Sequence, residues 1–396
     1  MKRSTERVLT THAGSLPRPP ELTDAILSRE NKTLIKDAAA RLPAQISAAV
    51  NGVVGLQLSC GLDMISDGEM SKIGYATYVK DRLSGFEEAE VPEGGGLSIA
   101  DLDDYPGMAE SSLAGLTTAT PTCTGPVSYT GYDELHTDMA TFRAAIAEHN
   151  QHEGHAAVEP FLTAASPGVI ALYLPNTYYP NGDDYLFALA EAMRAEYEAI
   201  VAAGFVLQID APDLAMGRHI LYAHLPLPHF QERAEVHVEA INHAVRDIDP
   251  EQVRVHLCYG NYQGPHHRDV ELRDIIDIIL RLRPNGLVFE AANQRHAHEW
   301  KVFEQVRVPD EKLLVPGVID TSSNYIEHPE LIAERITRYA SLVGRERVLA
   351  GTDCGFASFA SFLAVSPQLA WAKLASLVHG AELASAQLWR GATVLP

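Results

Sequence analysis

Basic residues are scarce in this chain: 31 Lys and Arg stand against 52 Asp and Glu, a formal net charge of −21 over 396 residues. A protein that grips nucleic acid presents a basic face to the phosphates, so nucleic acid is excluded as a partner, and adhesion to an anionic membrane gains no support. Long apolar runs are missing as well. No stretch approaches the roughly 18 apolar residues of a membrane span, and the opening MKRSTERVLTTHAG has no apolar segment behind its early basic residues, unlike a secretory signal. Cysteine is rare, with only Cys60, Cys123, Cys258 and Cys354. Four in so long a chain make no disulfide framework, and a reducing cytoplasm is the expected compartment. Nothing in the sequence decides oligomeric state, and a homo-oligomer is compatible with it.

Apolar content, by contrast, is ample for a large core at 46%. Short apolar runs read as strands at 8–13, 62–67, 168–174, 204–210, 252–258, 286–290, 313–318 and 347–352, several of them continuously apolar as in a parallel sheet covered on both faces. Helical patterns at 185–203 and 270–283 lie between them. Eight strands alternating with helices predict an α/β fold, a (β/α)8 TIM barrel, with residues 1–396 as a single domain. One tract breaks the alternation. From Arg82 to Arg143 no Lys or Arg intervenes, and FEEAEVPEGGG and DLDDY supply acid and glycine. We read about 84–150 as an acidic insertion between strands 2 and 3, a cap over the C-terminal face, with TPTCTGPVSYTG forming a hairpin.

Chemistry collects where the predicted strands end. His256 and Cys258 sit two residues apart in VRVHLCYGNY and so share one face of a strand. Glu290 ends the next strand, and Cys354 follows the last one in GTDCGF. One imidazole, two thiolates and a carboxylate form a tetrahedral set suited to Zn²⁺. Cys60 and Cys123 have no such partners and read as structural, and the histidines of HAHE (296–299) read as solvent-facing.

Along the chain the HAGS loop, the Gly68–Glu69 pair, Ile-Asp-x-Pro, His-x-Cys, strand-end Glu290, Gly-Val-x-Asp and Asp-Cys-Gly follow in one order. At these residues the sequence resembles the cobalamin-independent methionine synthase family, specifically its C-terminal catalytic barrel and single-barrel relatives. The resemblance implies zinc held by His256, Cys258, Glu290 and Cys354, the same set that spacing suggests. It also implies that Gly14, Ser15, Glu69 and Asp210 hold the amino-acid end of a substrate. The activity implied is a zinc-dependent S-alkyltransferase that activates a small thiol as its zinc thiolate, transferring methyl to homocysteine to give methionine. Glu290, the hardest ligand, is the one expected to loosen when substrate sulfur arrives.

Three departures from the family pattern stand out. There is one barrel, without the duplicated half that helps bind polyglutamylated folate. GVIDTSS has Ser322 where the family has an acid–base histidine, and IDAPD has Ala211 where it has a glutamate. These leave the methyl or alkyl donor open among a folate, a corrinoid protein, an epoxide and other small compounds. The alternative is an enzyme similar to epoxyalkane:coenzyme M transferase, with a coenzyme M-like thiol. Its sulfonate would need a cation, with Arg18, Lys72 and Arg295 as candidates, and its alkoxide an acid, with His296, His298, Tyr178 and Tyr179 as candidates. A metal-dependent hydrolase, a non-catalytic zinc protein and a metal-free barrel of the uroporphyrinogen decarboxylase kind are weaker readings.

Overall fold

The computed structural model describes residues 1–88, 99–105, 107–108, 121–153 and 158–390. A parallel sheet curls through β1 (Met64–Ile65), β4 (Glu159–Ala165), β5 (Val206–Asp210), β6 (Val253–Leu257), β7 (Gly286–Phe289), β8 (Leu313–Ile319) and β9 (Gly351–Thr352) in that spatial order. The predicted first strand joins the two ends. Thr10 pairs in parallel with Ala350, and its carbonyl accepts the Met64 N–H at 3.0 Å, which closes a TIM-type barrel. Helices cover the outside of the sheet. A small cluster of Met64, Phe161, Val206, Val288, Val315 and Leu349 fills the inside, each from a different strand position.

Above that plug the barrel interior turns polar by strand alternation. On β6 the inward residues are Arg254 and His256, with Cys258 just past the strand end. Arg254 is fully buried, stacks 3.9 Å over the Phe161 ring and donates to Thr11 Oγ1 and the His12 carbonyl. Burial pulls its pKa down to about 9. The same side of β5 carries Gln208, which donates to the Ala13 carbonyl at 2.6 Å and to Asp210 at 2.8 Å. The first strand, β5 and β6 are thereby locked in register beneath the functional face.

Two expectations need correcting. The run 168–174 is a helix, Pro167–Tyr173, and the strand precedes it at Glu159–Ala165. Ser166 caps that helix by accepting the Val169 N–H, and Pro167 occupies its first turn, so local capping decides where periodicity was silent. GVIALYL is buried almost throughout, and a short helix apolar on all sides reads like a buried strand.

Within 84–150, the helix Tyr132–Glu153 belongs to the barrel wall: Phe142 stacks on Phe205, and Asn51 donates to Glu148 at 2.6 Å. TPTCTGPVSYTG does not fold back on itself. Its β3 (Thr122–Cys123) pairs antiparallel with β2 (Phe86–Glu87), and Tyr129 bridges to Leu83. Much of the acidic, Gly-rich tract, 89–98 and 109–120, lies outside the described residues. The short helix Ala100–Asp103 is described, and Ile99 and Leu102 pack against Tyr262 at the mouth of the barrel.

Candidate active site

The strand ends enclose a cavity of about 190 Å³. Sulfur lines part of it. The thiols of Cys258 and Cys354 lie 3.5 Å apart and are not joined as a disulfide, and with His256 their ligand atoms fall within 4.8 Å of one another. Two sulfurs at about 2.3 Å from one tetrahedral ion would sit about 3.8 Å apart, so the pair fits a shared metal. His256 directs Nδ1 to Asp210 at 3.0 Å, which leaves Nε2 on the cysteine side, 3.3 Å from the Asp353 carbonyl.

Glu290 is held back from this trio. Its Oε1 accepts the Tyr259 N–H at 2.7 Å and its Oε2 accepts from Asn293 at 2.6 Å. Three of the four expected ligands therefore converge, and the fourth stands beside them with its carboxylate turned to the protein.

The electrostatics suit a cation. Burial opposes charge on His256, yet the bond to Asp210 and the negative charge at Cys354 carry its pKa up to about 9. The Cys258 thiol is driven well above its ordinary range by its contact with Cys354, by burial and by Glu290. Burial, aided by Glu290, raises Asp353 to about 7. Anionic groups are crowded here, and a positive ion among them would relieve each.

Asp353, which the motif reading passed over, fixes the geometry. Its oxygens accept the N–H groups of Ala291, Ala292 and Asn293 at 2.7–2.8 Å, tying the turn that carries Cys354 to the one that carries Glu290. That approach needs Gly317, where a Cβ would fall 2.0 Å from Asp353 Oδ1.

Carboxylates line the same cavity. Glu69 is buried in a left-handed backbone conformation (φ 59°), an unusual state for a side-chain-bearing residue. Its Oε1 accepts from Thr163 at 2.9 Å, while Oε2 is buried with no hydrogen-bond partner among the described residues. Burial raises Glu69 to about 7 despite Lys72 nearby. Asp210 and Ser15 line the same space. Gly14 adopts φ +127°, and a Cβ there would meet Thr163 Cγ2 at 2.6 Å and Glu69 Oε1 at 2.9 Å. Gly14→Ala is expected to cost about 1–3 kcal/mol, read as a fall of a few degrees in thermal midpoint, and to displace the Glu69 carboxylate.

Residues 180–375 match the sequence model described as "Cobalamin-independent synthase, Catalytic domain". Over these residues the chain is similar to the catalytic domain of the cobalamin-independent synthases. Of the residues singled out above, the synthase match spans Asp210, His256, Cys258, Glu290 and Cys354, while Gly14, Ser15 and Glu69 lie outside it. The chain is similar to a methionine synthase of Saccharolobus solfataricus, 25% identical over 386 residues and 96% of each chain. A methionine synthase of Thermococcus kodakarensis is 27% identical over 232 residues, 58% of this chain and 59% of its own length. In fold it is similar to a B12-independent methionine synthase from a Shewanella species solved with selenomethionine (TM-score 0.72, 18% identity, 97% of this chain and 99% of that one). Among the described residues no helix is long and apolar enough to cross a membrane.

The residues proposed as acids or cations do not line the cavity. His296 is buried rather than solvent-facing, held between Asp269 and Glu299 at 2.9 Å each and stacked on Tyr259. His298 is exposed, Tyr178 is half exposed, and the Tyr179 hydroxyl accepts the Val127 N–H. Arg18 donates to the carbonyls of Ala357, Glu69 and Lys72, Lys72 donates to Thr163, and Arg295 is exposed. What lines the wall beside the sulfurs is an aromatic group that no motif announced: Tyr75, Tyr173 and Phe359, in mutual contact at 5.6–6.1 Å between ring centroids.

Proposed function

We propose that the protein is a zinc-dependent S-methyltransferase that forms methionine from homocysteine. The observation that carries this reading is one cavity lined by two thiols, an imidazole and a buried carboxylate, Glu69, with one oxygen left unbonded among the described residues. A small thiol that also bears an ammonium group matches both kinds of lining. Zinc at His256, Cys258 and Cys354, with Glu290 as fourth ligand once it turns from Tyr259 and Asn293, would supply the charge that keeps a substrate thiol ionised and nucleophilic near neutral pH.

The chain's own residues do the rest. Glu69 and Asp210 pair with the substrate ammonium, and Asp210 also holds the His256 ring in orientation through Nδ1. The Gly14–Ser15 loop brings backbone close to the amino-acid end. Tyr75, Tyr173 and Phe359 keep water from the sulfur side. No Lys or Arg lines the cavity among the described residues, and the tract 83–142 contains none at all. That favours an ammonium-bearing thiol over a sulfonate-bearing one of the coenzyme M kind.

The donor side departs from the folate pattern. The Ser322 hydroxyl is spent on Asp320 at 2.8 Å and lines no part of the cavity. A methyl donor whose leaving group departs without a proton from this position suits the site better than a folate.

Zinc-edge X-ray absorption tests the reading. Two sulfurs about the zinc at rest and three with homocysteine, with no change for coenzyme M, is the expected result. No change with homocysteine would sink it, and a third sulfur from coenzyme M alone would transfer the case to epoxide opening.

A further inference from the structure

A second group of metal-philic side chains lies behind Tyr262, outside the cavity. Asp101, His219 and Asp269 bring one ligand atom each within 4.8 Å of one another, and all three are buried. They come from unrelated places in the chain: the short helix Ala100–Asp103, the turn after β5, and the loop after β6.

What sets this group apart from an ordinary buried network is what it leaves unbonded. His219 is 1% exposed, and neither of its ring nitrogens has a hydrogen-bond partner among the described residues. The same is true of Asp269 Oδ1. Yet His219 Nδ1 and Asp269 Oδ1 stand 3.0 Å apart. The two are paired in charge but out of line for a hydrogen bond, and their spacing is that of two ligands on one ion. Cis ligands at about 2.1 Å from one ion would lie about 3.0 Å apart in octahedral geometry and about 3.4 Å in tetrahedral.

The surrounding bonds orient the donors. Asp269 Oδ2 is occupied by His266 at 3.0 Å and His296 at 2.9 Å, which leaves Oδ1 facing His219. Asp101 Oδ1 takes the Arg268 N–H and His267, whereas Oδ2 takes only the Tyr262 hydroxyl at 2.7 Å and keeps a lone pair. Arg268 itself is turned away to Asp104. Such outer bonds to ligating carboxylates fix tautomer and orientation at metal sites.

We infer that Asp101, His219 and Asp269 bind a divalent first-row cation, a second metal site distinct from the sulfur site. Its donors are one nitrogen and carboxylate oxygens, a harder set than the thiols, so it takes Mn²⁺, Co²⁺ or Zn²⁺ without sulfur ligation. Its place in the fold gives it a task. Asp101 lies between Ile99 and Leu102, which pack on Tyr262 and Ile220, and Ile99, Ile220 and Tyr262 all line the cavity. The Ala100 N–H also donates to the His219 carbonyl at 2.9 Å. The cation would rivet this wall of the cavity to the barrel. The inference stands independently of the proposed activity.

The test uses the full chain with zinc in the sulfur site and free metal removed. Titration with Mn²⁺, followed by electron paramagnetic resonance, is expected to give one bound ion per chain. His219→Ala and Asp269→Asn should each weaken it at least tenfold, and His219→Gln repeats the test with a closer fit, circular dichroism verifying the fold of each. Cys258→Ser should retain it. A Cys258→Ala/Cys354→Ala double variant loaded with Co²⁺ should hold one ion whose absorption lacks sulfur charge transfer, a result that would stand even if the sulfur site proved to hold no zinc. Absence of any Mn²⁺, Co²⁺ or Zn²⁺ beyond the sulfur site would overturn the inference, as would binding unchanged in the folded His219 variants.

Discussion

Cys354→Ser is expected to abolish sulfur-coordinated zinc and to lower methionine formation on the order of 10³-fold or more. A serine hydroxyl stays protonated where a metal-bound thiol does not, and it is a harder and weaker ligand for zinc. With the ion gone, substrate thiol falls back on its own ionisation, a few per cent at neutral pH for a group of pKa about 8.5. Its orientation beside the donor is lost as well, which costs a further large factor. Zinc-edge absorption reads the first effect and a methionine assay the second. Cys60→Ser is the control: Cys60 is half-buried with its thiol toward the Trp371 carbonyl and does not line the cavity, and this variant should keep both zinc and rate. Equal losses in the two variants would remove the sulfur site from the reaction.

Glu69→Gln should have the second-largest effect, and it carries a pH signature. Losing one partner of a buried, hydrogen-bonded charge pair costs about 2–5 kcal/mol, so kcat/KM for homocysteine should fall on the order of 10²- to 10³-fold. Burial sets the Glu69 pKa at about 7 against an ordinary value of 4.5. Below pH 7 the substrate-free enzyme holds a neutral carboxyl that cannot pair with an ammonium, so wild-type kcat/KM should decline as pH falls through 7. The glutamine variant should lack that limb. Stability moves the opposite way. This acid keeps its proton in the folded chain up to about 7, whereas the unfolded chain releases it near 4.5. Its contribution to folding is therefore most favourable below 4.5 and is lost as pH rises from 4.5 to 7. In ligand-free protein, Glu69→Gln should raise the thermal midpoint relative to wild type at pH 8 and leave it nearly unchanged at pH 5. Thermal unfolding at the two pH values checks this, and a uniform shift would mean that Glu69 is not the group being relieved.

How much of this was legible in the chain depended on whether a local rule governed it. The His-x-Cys pair was readable because strand alternation is strict: Arg254, His256 and Cys258 do face inward together. The third barrel strand was misplaced because GVIALYL has no alternation to betray a helix, and the deciding signal was the Ser-Pro cap one step upstream. Asp353 was hidden in plain view beside Cys354, since its role lies in backbone N–H groups contributed by a distant turn. The aromatic wall and the Asp101–His219–Asp269 group had no sequence signature at all. Their members are brought together only by the closed barrel and the segment over its mouth.

That closure bears on how the protein comes to exist in the first place. The seam joins Leu9–Thr11 to Ala350, and Cys354 lies just past it. A nascent chain therefore carries the Leu9–Thr11 strand unpaired on one side until Ala350 has left the ribosome, and contacts of such wide sequence separation form slowly. His256 and Cys258 can emerge and fold onto β5 well before their partner thiol is made. Any metal held by both sulfurs would then be captured late, and a chain stalled short of the last strand would expose a polar barrel interior with an open edge, a form suited to recognition by chaperones rather than to premature chemistry.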